Sequence, residues 1–203
     1  EACEAVASAI RPSTRVLIVS HLTSATGLLM PVERLVKLAR ERGVEILVDG
    51  AHGPGQVPID LTSLDPDYYA ASCHKWVCSP KGTAFFYARK DKQSRIQPLA
   101  MSCRTHNTRD DRAGFLCNFD YVGTGDSTGN LSIPAAITHL NAQRPGGLAQ
   151  VRQENHDLIV RARKLICDRL GISEPAPESM IGSMASIPLP KTPHWREPKH
   201  HSH

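Results

Sequence analysis

The sequence predicts an α/β fold with a mostly parallel sheet. Two short apolar runs, at 15–20 and 45–48, have the length and the β-branched content of buried strands. Between them lies a segment that Pro31 opens, that carries apolar residues at helical spacing and that Gly43 ends. A strand, a helix and a second strand joined by short connections form a right-handed crossover, so the two strands are expected to be parallel.

The same alternation continues along the chain. A third and a fourth strand are predicted at 68–71 and 84–88, and two further helices at 132–143 and 148–170. Residues 91–118 lose this periodicity, and a long irregular segment in a compact protein is often functional. The tail, 191–203, has almost nothing apolar apart from Trp195, so we expect it to be disordered.

The composition is that of an ordinary soluble globular protein. The chain has 203 residues, is 40% hydrophobic and 22% charged, and carries a formal net charge of +4. Its basic residues are scattered, which argues against nucleic-acid binding, and it has no apolar run of about 18 residues that would cross a membrane. The first residues lack the features of a secretory signal. We therefore expect a cytoplasmic protein whose six cysteines are reduced.

Polar residues follow each of the first three predicted strands. Ser20–Gly27 come after the first, Asp49–Gly53 after the second and Ser72–Trp76 after the third. In open α/β sheets ligands bind beyond the carboxyl ends of the strands. The sequence therefore predicts one rim that carries a carboxylate, imidazoles, hydroxyls and a lysine.

Each of these residues also has a simpler interpretation. Asp49 could cap a turn, His52 and His74 could be hydrogen-bonded interior histidines, and Lys75 could be a surface lysine. Taken together they favour chemistry: Lys75, beside Trp76 and directly after an apolar strand, is predicted to be shielded from water. A desolvated lysine is an amine nucleophile toward carbonyl groups. With a buried Asp49 to pair with a cationic ring nitrogen, this is the arrangement that pyridoxal phosphate requires.

At this point the sequence resembles a known family, the class V aminotransferases of the fold-type I pyridoxal-phosphate enzymes. Four blocks carry the resemblance, in the order and spacing of the family: Ser20–Gly27, Val48–His52, Asp67–Lys81 and Gly123–Ser127. Their residues are most similar to those of isopenicillin N epimerase-like members. The resemblance extends from about Val16 to Pro190.

The resemblance implies roles for the residues around the cofactor ring. Lys75 would form the Schiff base with pyridoxal 5′-phosphate and later shuttle the Cα proton. Asp49 would keep the pyridine nitrogen protonated. His52, where relatives often have glutamine, would contact the ring near its phenolic oxygen, and Ser24 matches a position that hydrogen-bonds the same oxygen.

Further residues would bind the cofactor phosphate. Ser72 and His74 match positions that bind it within one subunit, and hydroxyls and an imidazole suit a phosphate. Thr124 matches a position that reaches the phosphate of the neighbouring subunit. The resemblance therefore implies a homodimer that acts on a small amino-acid substrate.

The resemblance also implies a domain organisation. Residues 1–145 would form a partial pyridoxal-phosphate-binding major domain of fold type I, and 146–190 the start of a small C-terminal α/β domain, followed by the tail at 191–203. Family members are longer at both ends and supply there a phosphate-binding turn and the arginine that binds the substrate carboxylate. We therefore expect this chain to be a fragment.

Three functions stay open. The first is a pyridoxal-phosphate enzyme acting at Cα, of epimerase or aminotransferase type; a cysteine desulfurase is disfavoured, because the last cysteine, Cys167, lies in a predicted helix. The second is a truncated, inactive remnant that serves at most as a binding or dimerising module. The third is a metal protein using Cys73, His74 and Cys78, whose spacing fits no usual ligand pattern, so we predict no metal site.

Overall fold

One four-stranded sheet organises the fold in the computed structural model, which describes residues 1–103 and 113–190. Its strands are β1 (Val16–Ser20), β2 (Glu45–Asp49), β3 (Tyr68–Ser72) and β4 (Ala84–Ala88), in that spatial order. The first three are parallel, and β4 is antiparallel to β3. All four predicted strands and the mostly parallel α/β class are thereby confirmed.

Seven α-helices lie within the described ranges. They are α1 (Ala2–Ala9), α2 (Val32–Glu41), α3 (Leu61–Leu64), α4 (Gly114–Phe119), α5 (Thr128–Leu131), α6 (Ile133–Ala142) and α7 (Gly147–Leu170). Short 3₁₀ segments occupy Lys90–Arg95 and Glu178–Met180. The three predicted helices are α2, α6 and α7. The other four helices were not predicted. One of them, α4, and the first 3₁₀ segment lie at the two ends of the stretch expected to be irregular.

Helix α2 builds the core on one face of the sheet. Pro31 precedes it, and its buried side chains recur at helical spacing: Val32, Leu35, Val36 and Ala39. They pack on the side chains that β2 and β3 present to the same face: Ile46, Val48, Tyr69 and Ala71. Each fully buried aliphatic side chain contributes roughly 1.5–3 kcal/mol of hydrophobic stabilisation. This packing fixes the sheet from which the site residues extend.

The opposite face of the sheet is only partly covered. Phe86 of β4 packs there against Phe115 and Phe119 of α4. At the far edge, Ile18 of β1 is 69% exposed and Val16 is 47% exposed. β1 therefore forms an exposed edge of the sheet.

The antiparallel pairing of β4 follows from the segment that precedes it. Residues 73–83 contain no helix that could cross the sheet, so the chain turns back beside β3. The backbone N–H of Cys73 donates to the carbonyl of Thr83 at 2.9 Å, and the Ser79 N–H donates to the Cys73 carbonyl at 3.2 Å. These bonds close a loop that carries Lys75 at the end of β3.

Charged side chains are paired at the amino end of the strands, away from the predicted rim. The Asp67 carboxylate accepts from the Ile46 backbone N–H at 2.9 Å and pairs with Arg89 at 2.8 Å. Lys92 donates to Glu45 at 3.0 Å. These pairs tie the start of β2 to the start of β3 and to the segment after β4.

The segment after α7 returns to the first part of the chain. Gly171, with φ of 64°, ends α7, and Ile181 forms an antiparallel bridge with Leu28. The domain boundary at 145/146 stays a prediction, and the 191–203 tail lies outside the described residues. No helix in the described part of the chain is both long and apolar enough to span a bilayer.

Candidate active site

The carboxyl ends of the first three strands meet at one rim, as predicted. Ser20 is in register with Asp49, and Asp49 with Ala70. The His21 backbone N–H donates to the Asp49 carbonyl at 2.8 Å, and the Gly50 N–H donates to the Ala70 carbonyl at 2.7 Å. The ladder therefore continues one residue past each strand and delivers the following residues side by side.

Asp49 ends β2 in a tight turn. One of its carboxylate oxygens accepts from the Ala51 backbone N–H at 2.9 Å. That bond is the turn cap considered above, and it leaves the second carboxylate oxygen without a hydrogen-bond partner among the described residues. The capping interpretation and a ligand role are therefore compatible, because the carboxylate has a free oxygen.

Lys75 and His52 meet at this rim. The Lys75 Nζ lies 3.2 Å from His52 Nε2, and the indole Nε1–H of Trp76 donates to His52 Nδ1 at 3.4 Å. Lys75 comes from the loop after β3, and His52 from the turn after β2. The structure thus brings together two of the three residues predicted to be catalytic.

Gln56 anchors the backbone of His52. The His52 carbonyl accepts from Gln56 Nε2 at 2.9 Å, and Gln56 Oε1 accepts from the Ser183 backbone N–H at 2.8 Å. Gln56 is buried. This role of Gln56 was not predicted from the sequence, because nothing in the sequence of a loop indicates that both the amide nitrogen and the amide oxygen of a glutamine are hydrogen-bonded.

Gly55 allows this turn to approach the lysine loop. It has φ of 89°, and a Cβ built on it would lie 2.6 Å from the Trp76 carbonyl carbon. No larger residue fits at that distance. The glycine-rich spacing of positions 50, 53 and 55 was the available signal for this close contact.

The electrostatics at the rim favour a neutral His52. Burial lowers its pKa below the ordinary value, the nearby Lys75 cation lowers it further, and the Asp49 carboxylate offsets part of this effect. At neutral pH the ring therefore has one N–H donor and one acceptor nitrogen.

The residues predicted to bind phosphate follow β3. His74 Nδ1 lies 2.8 Å from the Thr83 carbonyl oxygen, which can only accept, so Nδ1 carries a proton there. Ser72 lines an open cleft of about 440 Å³ that Asp49 and Ala51 also line. His74 is not among the cleft-lining residues. Ser72 and Asp49 therefore line the same cleft. The phosphate-binding roles of Ser72 and His74 stay predictions.

Ser24 and Thr124 are exposed and stand apart from this group. Ser24 lies in a turn that the Thr23 hydroxyl closes by accepting from the Leu28 N–H at 2.9 Å. Thr124 lies in the segment between α4 and α5. Within residues 1–103 and 113–190, neither hydrogen-bonds to Lys75, Asp49 or His52. Their ring-oxygen and partner-phosphate roles remain predictions.

Two expectations about burial are wrong. Lys75 and Asp49 were expected to be shielded from water, and both side chains are exposed. The physical reason is that no described segment packs over the rim: the aromatic neighbour Trp76 contacts His52 instead of covering the amine.

A buried polar pair behind the rim was also missed. His21 and Tyr69 are 6% and 0% exposed, and His21 Nδ1 lies 2.9 Å from the Tyr69 hydroxyl. Burial raises the pKa of Tyr69, and the Asp49 charge raises it further, so the phenol stays protonated. A wider cleft of about 790 Å³, lined by His21, contains neither Lys75 nor Asp49. Of these two clefts only the smaller one is lined by Asp49, and neither is lined by Lys75 or His52.

No group of three or more metal-binding side chains occurs in the part of the chain that the structure describes. Of the residues weighed for such a site, Cys73 is buried, with its thiol pKa raised by burial, and Cys78 is exposed.

The fold and the rim together define a class. A mostly parallel α/β sheet with Lys75, His52 and Asp49 at its carboxyl ends corresponds to the major domain of the fold-type I pyridoxal-phosphate enzymes. Residues 2–197 match the family model described as aminotransferase class-V, and the chain belongs to that family.

Known relatives agree with this assignment. The chain is 35% identical to an isopenicillin N epimerase of Amycolatopsis lactamdurans, over 94% of this chain and 50% of the relative. It is 34% identical to an L-cysteine desulfhydrase of Arabidopsis thaliana, over 88% of this chain and 38% of that protein. The chain thus spans half the length, or less, of these curated relatives.

A solved structure has the same fold. It is a mutant of C-DES, a cystine C–S lyase, with glycine covalently linked to its pyridoxal-phosphate cofactor. It superposes with a TM-score of 0.70 at 26% identity, covering 86% of this chain and 46% of C-DES. The predicted resemblance and fold are confirmed by these comparisons.

Proposed function

We propose that this chain carries the lysine-bearing part of a pyridoxal-phosphate-dependent enzyme that acts at Cα of an amino acid or a similar amine, of epimerase or aminotransferase type. The observation that carries the proposal is the contact of Lys75 Nζ with His52 Nε2 at 3.2 Å, at the strand ends where Asp49 presents its carboxylate. The family match and the cofactor of C-DES support pyridoxal 5′-phosphate as the cofactor.

The donor set at the rim suits this cofactor. Asp49 has a carboxylate oxygen free to accept from a protonated ring nitrogen, and Lys75 is an exposed primary amine that an aldehyde can reach. The cleft beside Asp49 is lined by alanines and by Phe85 and Phe86, and its volume of about 440 Å³ is within the usual range for small-molecule sites. The residues present therefore fit the group.

Each side chain has a separate task in this proposal. Bound pyridoxal phosphate supplies an electron sink for the charge that develops at Cα. Asp49 orients the cofactor ring and keeps its nitrogen protonated, since a carboxylate beside a cationic nitrogen favours the charged form. Lys75 holds the cofactor and moves the Cα proton. His52 contacts the cofactor ring near its phenolic oxygen and orients the Lys75 amine. Ser72, His74, Ser24 and Thr124 are proposed as further cofactor contacts, with Thr124 acting across a homodimer.

The first experiment tests the attachment of the cofactor. The purified chain is mixed with pyridoxal phosphate, its visible absorbance is recorded, borohydride fixes the adduct, and mass spectrometry locates the modified lysine. We expect label on Lys75 and its loss in Lys75→Ala. Lys81→Ala is the matched control, because Lys81 is also exposed and lies in the same loop.

Either outcome is informative. Label on Lys75 alone supports the proposal. Label spread over surface lysines, or no visible band, contradicts it for this chain and favours the inactive remnant. Sedimentation with and without pyridoxal phosphate then tests the proposed homodimer.

A second activity is favoured by one group of comparisons. A relative named L-cysteine desulfhydrase matches at 34% identity, close to the 35% of an isopenicillin N epimerase. Cleavage of a C–S bond in cysteine begins at the same Cα position and releases sulfide. Incubation of the loaded chain with amino acids in deuterated water separates the candidates: deuterium at Cα or inversion supports the epimerase type, a keto acid supports transamination, and sulfide from cysteine supports the lyase.

A further inference from the structure

Two hydrogen-bond donors converge on the His52 ring. Trp76 Nε1–H lies 3.4 Å from Nδ1, and Lys75 Nζ lies 3.2 Å from Nε2. An indole N–H can only donate, and a lysine ammonium can also only donate. A neutral imidazole has a single acceptor nitrogen, so the ring cannot accept from both groups at once.

We propose that Trp76 is a positioning residue: by donating to Nδ1 of His52, it fixes the His52 tautomer that carries its proton on Nε2 and turns that N–H toward Lys75. The partner at Nε2 must then be an acceptor. The free amine of Lys75 has a lone pair and can accept, whereas the ammonium cannot. In this tautomer the His52 ring can donate to the free amine of Lys75, which is the form that attacks a carbonyl.

The local packing supports this assignment. Gly55 lets the turn that carries His52 lie against the backbone of Trp76, with a built Cβ only 2.6 Å from the Trp76 carbonyl carbon. Gln56 anchors the His52 carbonyl at 2.9 Å. These backbone contacts of the His52 turn hold the imidazole ring next to the Trp76 indole. The position of the ring therefore does not depend on Lys75.

The charged groups that act on the His52 ring are Lys75 and Asp49, and they oppose each other. Burial, the largest of these influences, lowers the pKa of His52 whichever form Lys75 takes, so the neutral ring prevails at neutral pH. The indole N–H at Nδ1, which can only donate, then selects the neutral tautomer that is protonated on Nε2. The tautomer itself does not depend on the cofactor; its use in catalysis rests on the proposed function.

The test is a nitrogen NMR measurement on the chain without cofactor. Two-bond proton–nitrogen spectra of the ¹⁵N-labelled chain distinguish protonated from unprotonated ring nitrogens, and the His52 signals are identified by their loss in His52→Gln. We expect an unprotonated Nδ1 and a protonated Nε2. Trp76→Phe, which keeps an aromatic ring and removes the donor, should give a mixture of tautomers. Trp195→Phe, at the only other tryptophan of the chain, should not.

A protonated Nδ1 in the unmodified chain overturns the proposal without any variant, and so does an unchanged tautomer in a folded Trp76→Phe. Since no cofactor is present, failure of pyridoxal phosphate to bind Lys75 would count against the proposed function and leave the tautomer result intact.

Discussion

Gly50 is the residue whose replacement should perturb the rim most. A Cβ at this position would lie closer than 3.0 Å to the ring of Tyr69 and to its hydroxyl. The ring cannot retreat, because Tyr69 is fully buried, stacks on Phe85 at 6.1 Å between centroids and bonds to His21 at 2.9 Å. Gly50→Ala must therefore push the Asp49 turn or the tyrosine out of place.

The expected loss of stability has two parts. Overpacking a well-packed core costs about 1–3 kcal/mol. Separation of Tyr69 from His21 leaves buried polar atoms without partners, at about 1–3 kcal/mol. The free energy of unfolding should fall by about 2–6 kcal/mol, which lowers the urea midpoint by roughly 1–3 M at a slope of about 2 kcal/mol per M.

The assay is urea unfolding followed by circular dichroism, on a graded series. Gly53→Ala should cost less than Gly50→Ala, because its Cβ would lie farther from Tyr69, at 2.6 Å from the hydroxyl, with the flexible end of Ile59 at 3.0 Å and the Gly50 carbonyl oxygen at 3.3 Å. Gly114→Ala, with nothing within 4 Å, is the matched control. The reasoning is refuted if Gly50→Ala unfolds at the same urea concentration as Gly114→Ala.

Three further changes test the charges and one helix end. Lys75→Gln should raise the pKa of His52 toward its ordinary value, because a nearby cation that lowers it is removed; proton NMR titration of the ring measures this. The hydrogen bond from Lys92 holds the pKa of Glu45 below its ordinary value of 4.5, so its stabilisation is present above that pH and is lost as the pH falls through the lower folded-state pKa. Glu45→Gln should therefore show a shallower loss of thermal stability between about pH 5 and pH 3. Asp60→Ala removes the cap of α3, which accepts from two backbone N–H groups at 2.9 and 3.2 Å, and should cost about 1 kcal/mol in urea unfolding.

Each of these three has a control that keeps the contact in question. Lys81→Gln should leave the His52 titration unchanged, and an equal shift in both variants would argue against a direct effect of Lys75. Glu41→Gln removes an exposed carboxylate at the end of α2 and should keep the acid profile of the parent chain; if it matches Glu45→Gln, the effect is one of net charge. Ser63→Ala retains the cap carboxylate and should be nearly neutral.

The strands and the rim could be predicted because their signals are local. The apolar runs of β1 and β2 are short and bounded by turn residues, and parallel pairing then places Ser20 beside Asp49. The open rim could not be predicted. Apolar flanks suggested that Lys75 was buried, yet burial depends on what packs over a residue, and a sequence pattern does not record that.

The missed contacts have a common cause. Gln56 and Ser183, or His21 and Tyr69, are paired across long separations in the chain, and each residue by itself looks unremarkable in sequence. Trp76 was noted only as a neighbour of Lys75. That its indole faces His52 follows from the approach that Gly55 permits, which requires the turn geometry.

The loop that carries Lys75 and the turn that carries His52 also differ in how their geometry is acquired during folding. His74 reaches the Thr83 carbonyl across a separation of 9 residues, whereas the Gln56–Ser183 bond under His52 spans 127. Closing the longer loop in an otherwise unstructured chain costs about 2 kcal/mol more in entropy. The lysine loop is therefore favoured to form early with its hairpin, and His52 is fixed only when the segment after α7 has docked. Under mild denaturation we expect the two to separate in the opposite order. The turn that carries His52 loses its structure first, while the loop that carries Lys75 stays folded.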